Sequence, residues 1–359
     1  MSRLSEEHWY AHPGARDWRC APVAAEVRRF HAGLPGYALT PLVELPELAA
    51  ELAVGRVHVK DESARLGLGA FKVLGAAWAV HRVLARHPAG STLRLIAATE
   101  GNHGRAVARL ARIYGRPAEI YVPQGVRPAA VAALAAEGAQ VTRVAGDYDE
   151  AVRRAARAAG KPDGGVLIQD TAWPGYEEVP AWIVEGYTTL FEEIDEQLTG
   201  RGPGLVVVPV GVGSLAQAAV THYRSRDADP APEPAALLAV EPDSARAALS
   251  SLAAGRLVTA PTADTAMAGL NCGTLSSLAW PVLRHGLDAA VAITDPAAER
   301  AVSDLAAAGI TAGPTGAAAL AGARTALTGP GAAERRAALG VGPDSTVVLL
   351  STEGGRPRW

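Results

Sequence analysis

The sequence predicts an α/β protein of two domains, each a mostly parallel sheet flanked by helices. Three observations carry that expectation. From about residue 57 onward, short apolar runs alternate with alanine-rich helical runs. That is the pattern of strands buried on both faces by crossover helices. The chain has 359 residues, too many for one small domain. Glycine, asparagine and titratable residues collect where the apolar runs end, which is where open α/β sheets bind ligands.

The first unit is VHVKDESARLGLGAFKVLGAAWAV (57–80), opening as a strand and closing as a helix. LRLIAAT (93–99) leads into HGRAVARLARIYG, AEIYVP (118–123) into RPAAVAALAAEG, and QVTRVA (140–145) into DYDEAVRRAARAAG. GVLIQD (165–170) passes through a loop into PAWIVEGYTTLFEEIDEQL. LVVVPV (205–210), ALLAVEP (236–242), AAVAIT (289–294) and TVVLLST (346–352) complete the strands. DADPAPEPAA (227–236) and TGPGAAERRAALGVGPD (328–344) read as surface connections. The smaller domain is expected over 86–185, and the larger over 1–85 with 186–359.

Composition excludes several classes. An apolar fraction of 49% with 20% charged residues is that of a soluble globular protein. A net charge of -3 gives no electrostatic case for nucleic acid or an anionic membrane. No apolar run approaches the roughly 20 residues of a membrane helix. The opening MSRLSEEHWYAHPG lacks the apolar core of a secretory signal, so a cytoplasmic protein is expected. Cys20 and Cys272 are far apart and make no metal spacing, so no metal is expected.

The chain has only three lysines, Lys60, Lys72 and Lys161. Lys72 stands among apolar residues at a strand-to-helix junction. Desolvation by Phe71, Val73 and Leu74 lowers the pKa of such an amine toward its nucleophilic form. A snorkelling surface lysine is the plain alternative. After the second strand, Thr99-Glu100-Gly101-Asn102-His103-Gly104 is a polar turn opening a helix, suited to an anion or to simple capping by Asn102. His103 reads as a structural donor. After LVVVPV, the turn Gly211-Val212-Gly213-Ser214-Leu215 lets backbone N–H groups converge on a phosphate, with the Ser214 hydroxyl added. Its spacing fits neither a dinucleotide fingerprint nor a P-loop. Ser351 and Thr352 end the last strand, where a hydroxyl suits a pyridine nitrogen. An amine, an asparagine turn and a phosphate turn together suggest pyridoxal phosphate.

These segments resemble the fold-type II (tryptophan synthase β-like) pyridoxal-phosphate enzymes, and within them the diaminopropionate ammonia-lyases. VKDES-R-GLGAFKVLG, TEGNHGRAVA, QDTAWPGYEEVPAWIVEGY (169–187), GVGSLA, EPDSA, MAGLNCGTLSSLAWPVL and LLSTEGG match in order, from about residue 40 to 355. The resemblance implies that Lys72 is the Schiff-base lysine, Asn102 neighbours the ring hydroxyl, and Gly211, Val212, Gly213, Ser214 and Leu215 hold the phosphate. It implies Asp170 as base for an L-substrate and Glu100 for a D-substrate, with Ser351 or Thr352 at the pyridine nitrogen. The implied reaction is α,β-elimination of 2,3-diaminopropionate to pyruvate and ammonia, in a homodimer. Two departures stand out. Glu100 replaces the family's aspartate, lengthening the reach by one methylene. Pro314-Thr315 stands where the lyases carry an acidic residue before the glycine. Both leave open β-elimination or β-replacement on another β-substituted amino acid. A non-catalytic amino-acid-binding homologue is the remaining alternative.

Overall fold

The computed structural model describes residues 8–23, 26–88, 92–99, 101–162, 164–200, 202–225 and 234–355. Eleven strands appear among the described residues: β1 (Trp9–Ala11), β2 (Leu42–Glu44), β3 (Arg56–Asp61), β4 (Leu95–Ala98), β5 (Ala118–Pro123), β6 (Gln140–Val144), β7 (Val166–Leu167), β8 (Leu205–Pro209), β9 (Ala236–Pro242), β10 (Ala289–Ile293) and β11 (Thr346–Ser351). They form a seven-stranded sheet in the order β1-β10-β9-β8-β11-β3-β2 and a four-stranded sheet in the order β6-β5-β4-β7. Neighbouring strands are parallel, except for the edge strands β1 and β2, which run antiparallel. The expected fold class is the observed one. The near-continuous apolar strands β4, β8, β9, β10 and β11 are buried along their whole length, as helices on both faces require.

The helices are α1 (Glu26–Ala32), α2 (Pro46–Glu51), α3 (Lys72–Ala85), α4 (Asn102–Ile113), α5 (Pro128–Ala136), α6 (Tyr148–Ala159), α7 (Glu178–Gln197), α8 (Ser214–Tyr223), α9 (Ala247–Ala254), α10 (Ala279–Gly286), α11 (Asp295–Ala307), α12 (Pro314–Leu327) and α13 (Ala332–Leu339). α7 packs against both α3 and α8. The α3–α7 crossing is close: a Cβ on Gly186 would lie 2.7 Å from Gly75 Cα, and one on Gly75 2.6 Å from a Tyr187 ring carbon. The boundary expected at 185/186 lies inside α7.

Three local expectations change. GVLIQD pairs only at Val166–Leu167, because the Gln169 side chain takes over at the ladder's end, its Oε1 accepting from Ala98 N (2.9 Å). The stretch 328–344 is not simply a connection. It contains α13, capped by left-handed glycines Gly331 and Gly340, while Arg335 donates to the carbonyls of Ala326, Thr328 and Pro330. Most of 227–236 lies outside the described residues. Among the described residues no helix is long and apolar enough to cross a membrane.

Candidate active site

The C-terminal ends of β4, β8 and β11 face the first turns of α3, α4 and α8. Between them lies a cavity of about 290 Å³, lined in part by Lys72, Asn102, His103, Asp170, Cys272 and Glu353. A smaller space of about 50 Å³ adjoins it, lined by Phe71, Lys72, Asp170, Tyr187, the turn 211–215 and Thr352. The fold thus brings together four segments the sequence singled out, spread over nearly 300 residues.

Lys72 is the first residue of α3. Its neighbours Val73 and Leu74 point into the core, 2% and 0% exposed, which turns the lysine toward the cavity. Its Nζ donates to Asp170 Oδ2. Burial presses the ammonium to lose its proton, but the Asp170 charge and hydrogen bond outweigh it, so the lysine pKa is raised. The apolar setting expected to neutralise Lys72 is present and loses to a carboxylate 98 residues away.

Asp170 follows the clamped end of β7. Tyr176 Oη donates to Leu167 O (2.8 Å) and accepts from Gln169 N (2.9 Å), and Tyr176 stacks on Trp173 at 4.5 Å between centroids. Ser214 Oγ donates to Asp170 O (2.5 Å). The Asp170 carboxyl is buried, which would raise its pKa. Lys72 and His103 outweigh burial and hold it down to about 2. His103 is buried, with Nε2 at 2.7 Å from Ile168 O, so Nε2 carries the proton and donates. Its Nδ1 has no hydrogen-bond partner and lies 3.9 Å from Asp170 Oδ2. Burial keeps this imidazole neutral, against the pull of Asp170. It is a structural donor, as the sequence suggested.

The asparagine turn is capped by Thr99, not by Asn102: Thr99 Oγ1 accepts from Gly101 N (2.9 Å) and Gly104 N (3.1 Å). That frees the Asn102 amide, whose Nδ2 donates to Glu353 Oε2 (2.6 Å). Glu353 Oε1 is buried without a partner. Sequence reasoning missed Glu353, although the quoted LLSTEGG contains it. Glu100 lies outside the described residues.

The turn before α8 is built for close approach. Gly213 adopts φ +95, which only glycine takes without strain. A Cβ on Gly211 would sit 3.0 Å from Gly269 O. The first bond back into α8 is Gln217 N to Gly213 O (2.8 Å), so the N–H groups before Gln217 face outward from the helix end. The Ser214 hydroxyl, expected to join the phosphate donors, spends its proton on Asp170 O instead. At the end of β11, Ser351 and Thr352 are both buried with unpartnered hydroxyls. Thr352 lines the smaller space. Ser351 faces α12, where a Cβ on Gly316 would come within 3.3 Å of its Oγ. Among the described residues no group of three or more His, Cys, Asp or Glu is placed to hold a metal.

An amine in a cavity, an anion cradle at a helix end and orphaned hydroxyls around them fit pyridoxal phosphate. The pattern of the family described as "Pyridoxal-phosphate dependent enzyme" matches residues 34–353. The chain belongs to that family. Pyridoxal phosphate is its cofactor. The diaminopropionate ammonia-lyase of Salmonella typhimurium is 37% identical over 299 residues, covering 76% of this chain and 73% of that one. Among solved structures, diaminopropionate ammonia lyase from Escherichia coli, in complex with an aminoacrylate-PLP azomethine reaction intermediate, superposes with a TM-score of 0.85 at 31% identity. That match covers 96% of this chain and 93% of the other. The same Escherichia coli enzyme in complex with D-serine gives 0.85 at 30% identity over the same shares.

Proposed function

We propose that the chain is a pyridoxal-phosphate-dependent ammonia-lyase that converts L-2,3-diaminopropionate to pyruvate and two molecules of ammonia. The observation that carries this reading is the Lys72–Asp170 pair at the cavity wall, in a chain that aligns over most of its length with relatives of that activity.

When bound, the cofactor makes the substrate's α-proton acidic and takes up the electron pair left at Cα. The rest is done by the chain. Lys72 must shed a proton to solvent before its nitrogen is a nucleophile, which leaves the Asp170 carboxylate in contact with it ionised and able to act as a base. Asp170 then takes the α-proton of the L-isomer, with released Lys72 as the alternative base. Lys72, in contact with Asp170, receives that proton and delivers it to the departing β-nitrogen. The released enamine adds water and loses its second ammonia, leaving pyruvate. Asn102 donates to the ring hydroxyl, and the turn Gly211, Val212, Gly213, Ser214, Leu215 holds the phosphate through backbone N–H groups. For the pyridine nitrogen we place Thr352, which lines the smaller space beside the cavity, ahead of Ser351. Glu100 serves the D-isomer. We assign the chain to the cytoplasm as a homodimer. Sedimentation at the mass of one chain would count against the dimer.

The test is the visible spectrum of the purified protein during addition of L-2,3-diaminopropionate, with pyruvate measured alongside. A cofactor band that changes while pyruvate accumulates supports the reading. An unresponsive band and no pyruvate overturn the substrate.

A further inference from the structure

The phosphate turn lacks one component. A phosphate dianion offers three acceptor oxygens, and the end of α8 supplies only backbone donors, because the Ser214 hydroxyl donates to Asp170 O (2.5 Å). Phenolic and hydroxyl groups in the surrounding wall are therefore the place to look for the missing donor. Two lining hydroxyls are buried and unpartnered: Thr352 at the end of β11 and Tyr187 on α7. Thr352 is already placed at the pyridine end.

Tyr187 is 1% exposed, and its Oη has no hydrogen-bond partner in the protein. Leaving such a group unsatisfied is costly, so it calls for a ligand acceptor. Its ring packs against Phe71 (4.8 Å, 56°) and crosses α3 at Gly75, where any Cβ would meet the ring at 2.6 Å. Glycine at 75 thus makes room for the ring between α3 and α7. Helix α7 also packs on α8, whose first turn forms the cradle, and Tyr187 and the turn 211–215 line the same small space. Burial raises the phenol pKa well above its ordinary value, with Asp170 adding to the shift, so the group stays a proton donor.

We propose that Tyr187 donates its phenolic proton to the phosphate of pyridoxal phosphate, completing the cradle that the end of α8 begins. This rests on placing the phosphate at the turn 211–215. The role is in cofactor retention, and Tyr187 takes no part in proton transfer.

The experiment uses the full chain, freed of cofactor and titrated with pyridoxal phosphate and, separately, with phosphate-free pyridoxal, read by absorbance and protein fluorescence. Tyr187→Phe keeps the ring and removes only the donor. The variant is expected to bind pyridoxal phosphate about tenfold more weakly or worse, as loss of a hydrogen bond to a charged group gives. Its affinity for pyridoxal should stay within about twofold of the wild type. The cofactor-free variant should melt no lower than the wild type, because no satisfied bond is removed. A Tyr187→Phe protein that keeps its full preference for the phosphorylated form overturns the proposal. Equal losses for both forms also overturn it, since Tyr187 would then be packing the ring. A wild type that binds both forms equally overturns the phosphate placement itself, which separates that failure from this one.

Discussion

Two lysines lie twelve residues apart, and they are held in opposite ways. Lys60, on β3, is fully buried and saturated: its Nζ donates to Thr40 O (2.9 Å), Glu193 Oε2 (2.7 Å) and Gln197 Oε1 (2.7 Å). Beside it Arg65 bonds both Glu62 and Glu193, with side chains 0% exposed throughout. Lys72 has one carboxylate partner and a side chain 23% exposed, and around it stand polar atoms with none: Nδ1 of His103, Oγ1 of Thr352, Oε1 of Glu353 and Oη of Tyr187. Where every donor and acceptor is matched, the charges hold the fold together. Where they are left unmatched, the protein is prepared for something else to bind. Both lysines lose solvation. For Lys60 that burial outweighs Glu193 and lowers its pKa, whereas for Lys72 Asp170 prevails and raises it.

The comparison can be broken most decisively at Lys72. Lys72→Ala should cut turnover by about 10⁴-fold and abolish the covalently bound cofactor's visible band, yet unfold in urea much like the wild type. A large loss of stability would mean Lys72 belongs with the structural pair. Next comes Asp170→Asn, expected to lower kcat on the L-substrate by about 10³-fold while pyridoxal phosphate still binds. Full activity in that variant would remove Asp170 from the chemistry. Lys60→Met should do the reverse of Lys72→Ala, costing about 3 kcal/mol of stability, because a buried network loses one cation and Glu193 keeps Arg65 and the more distant Arg28. Its turnover per folded molecule should be unchanged.

A smaller effect sharpens the same rule. Glu241 is 1% exposed and accepts from the N–H groups of Ala248 (2.7 Å) and Leu249 (2.8 Å) at the start of α9. Burial prevails over those bonds and raises its pKa from 4.5 to about 7. A raised acid binds its proton more tightly in the folded state. Its contribution is therefore full below pH 4.5 and is lost as pH rises through about 7. Unfolding free energy measured across that window should fall with pH, and Glu241→Gln should flatten the slope. A slope that survives the substitution assigns it to other groups.

Much of this was legible in the sequence, and the limits are physical. β5 and β9 were readable to the residue, because mostly apolar runs, each broken by a single glutamate, are what doubly covered strands give. Lys72, Asn102 and the 211–215 turn were readable as chemistry because each sits at a strand-to-helix junction. Their partners were not, since those come from far along the chain: Asp170 98 residues from Lys72, Glu353 251 from Asn102, Glu193 128 from Arg65. Asp170 was found through resemblance alone. Ser214 was readable as a hydroxyl in the right turn, but not as one already engaged by a carbonyl. α13 was hidden because its flanking glycines and Pro330 look like a loop, when they are a helix's caps.

β11 pairs with β8 on one side and β3 on the other, Val347 lying opposite both Leu205 and Val57. A strand from near the far end of the sequence therefore fills the middle of the larger sheet. As the chain leaves the ribosome, β3 and β8 are made long before the strand that joins them, and Thr352 and Glu353 follow directly behind it. The four-stranded sheet is built from one contiguous stretch and can assemble early. The cofactor's seat is completed only once β11 has been made, so a nascent chain cannot capture pyridoxal phosphate and begin turning over amino acids before that strand has emerged.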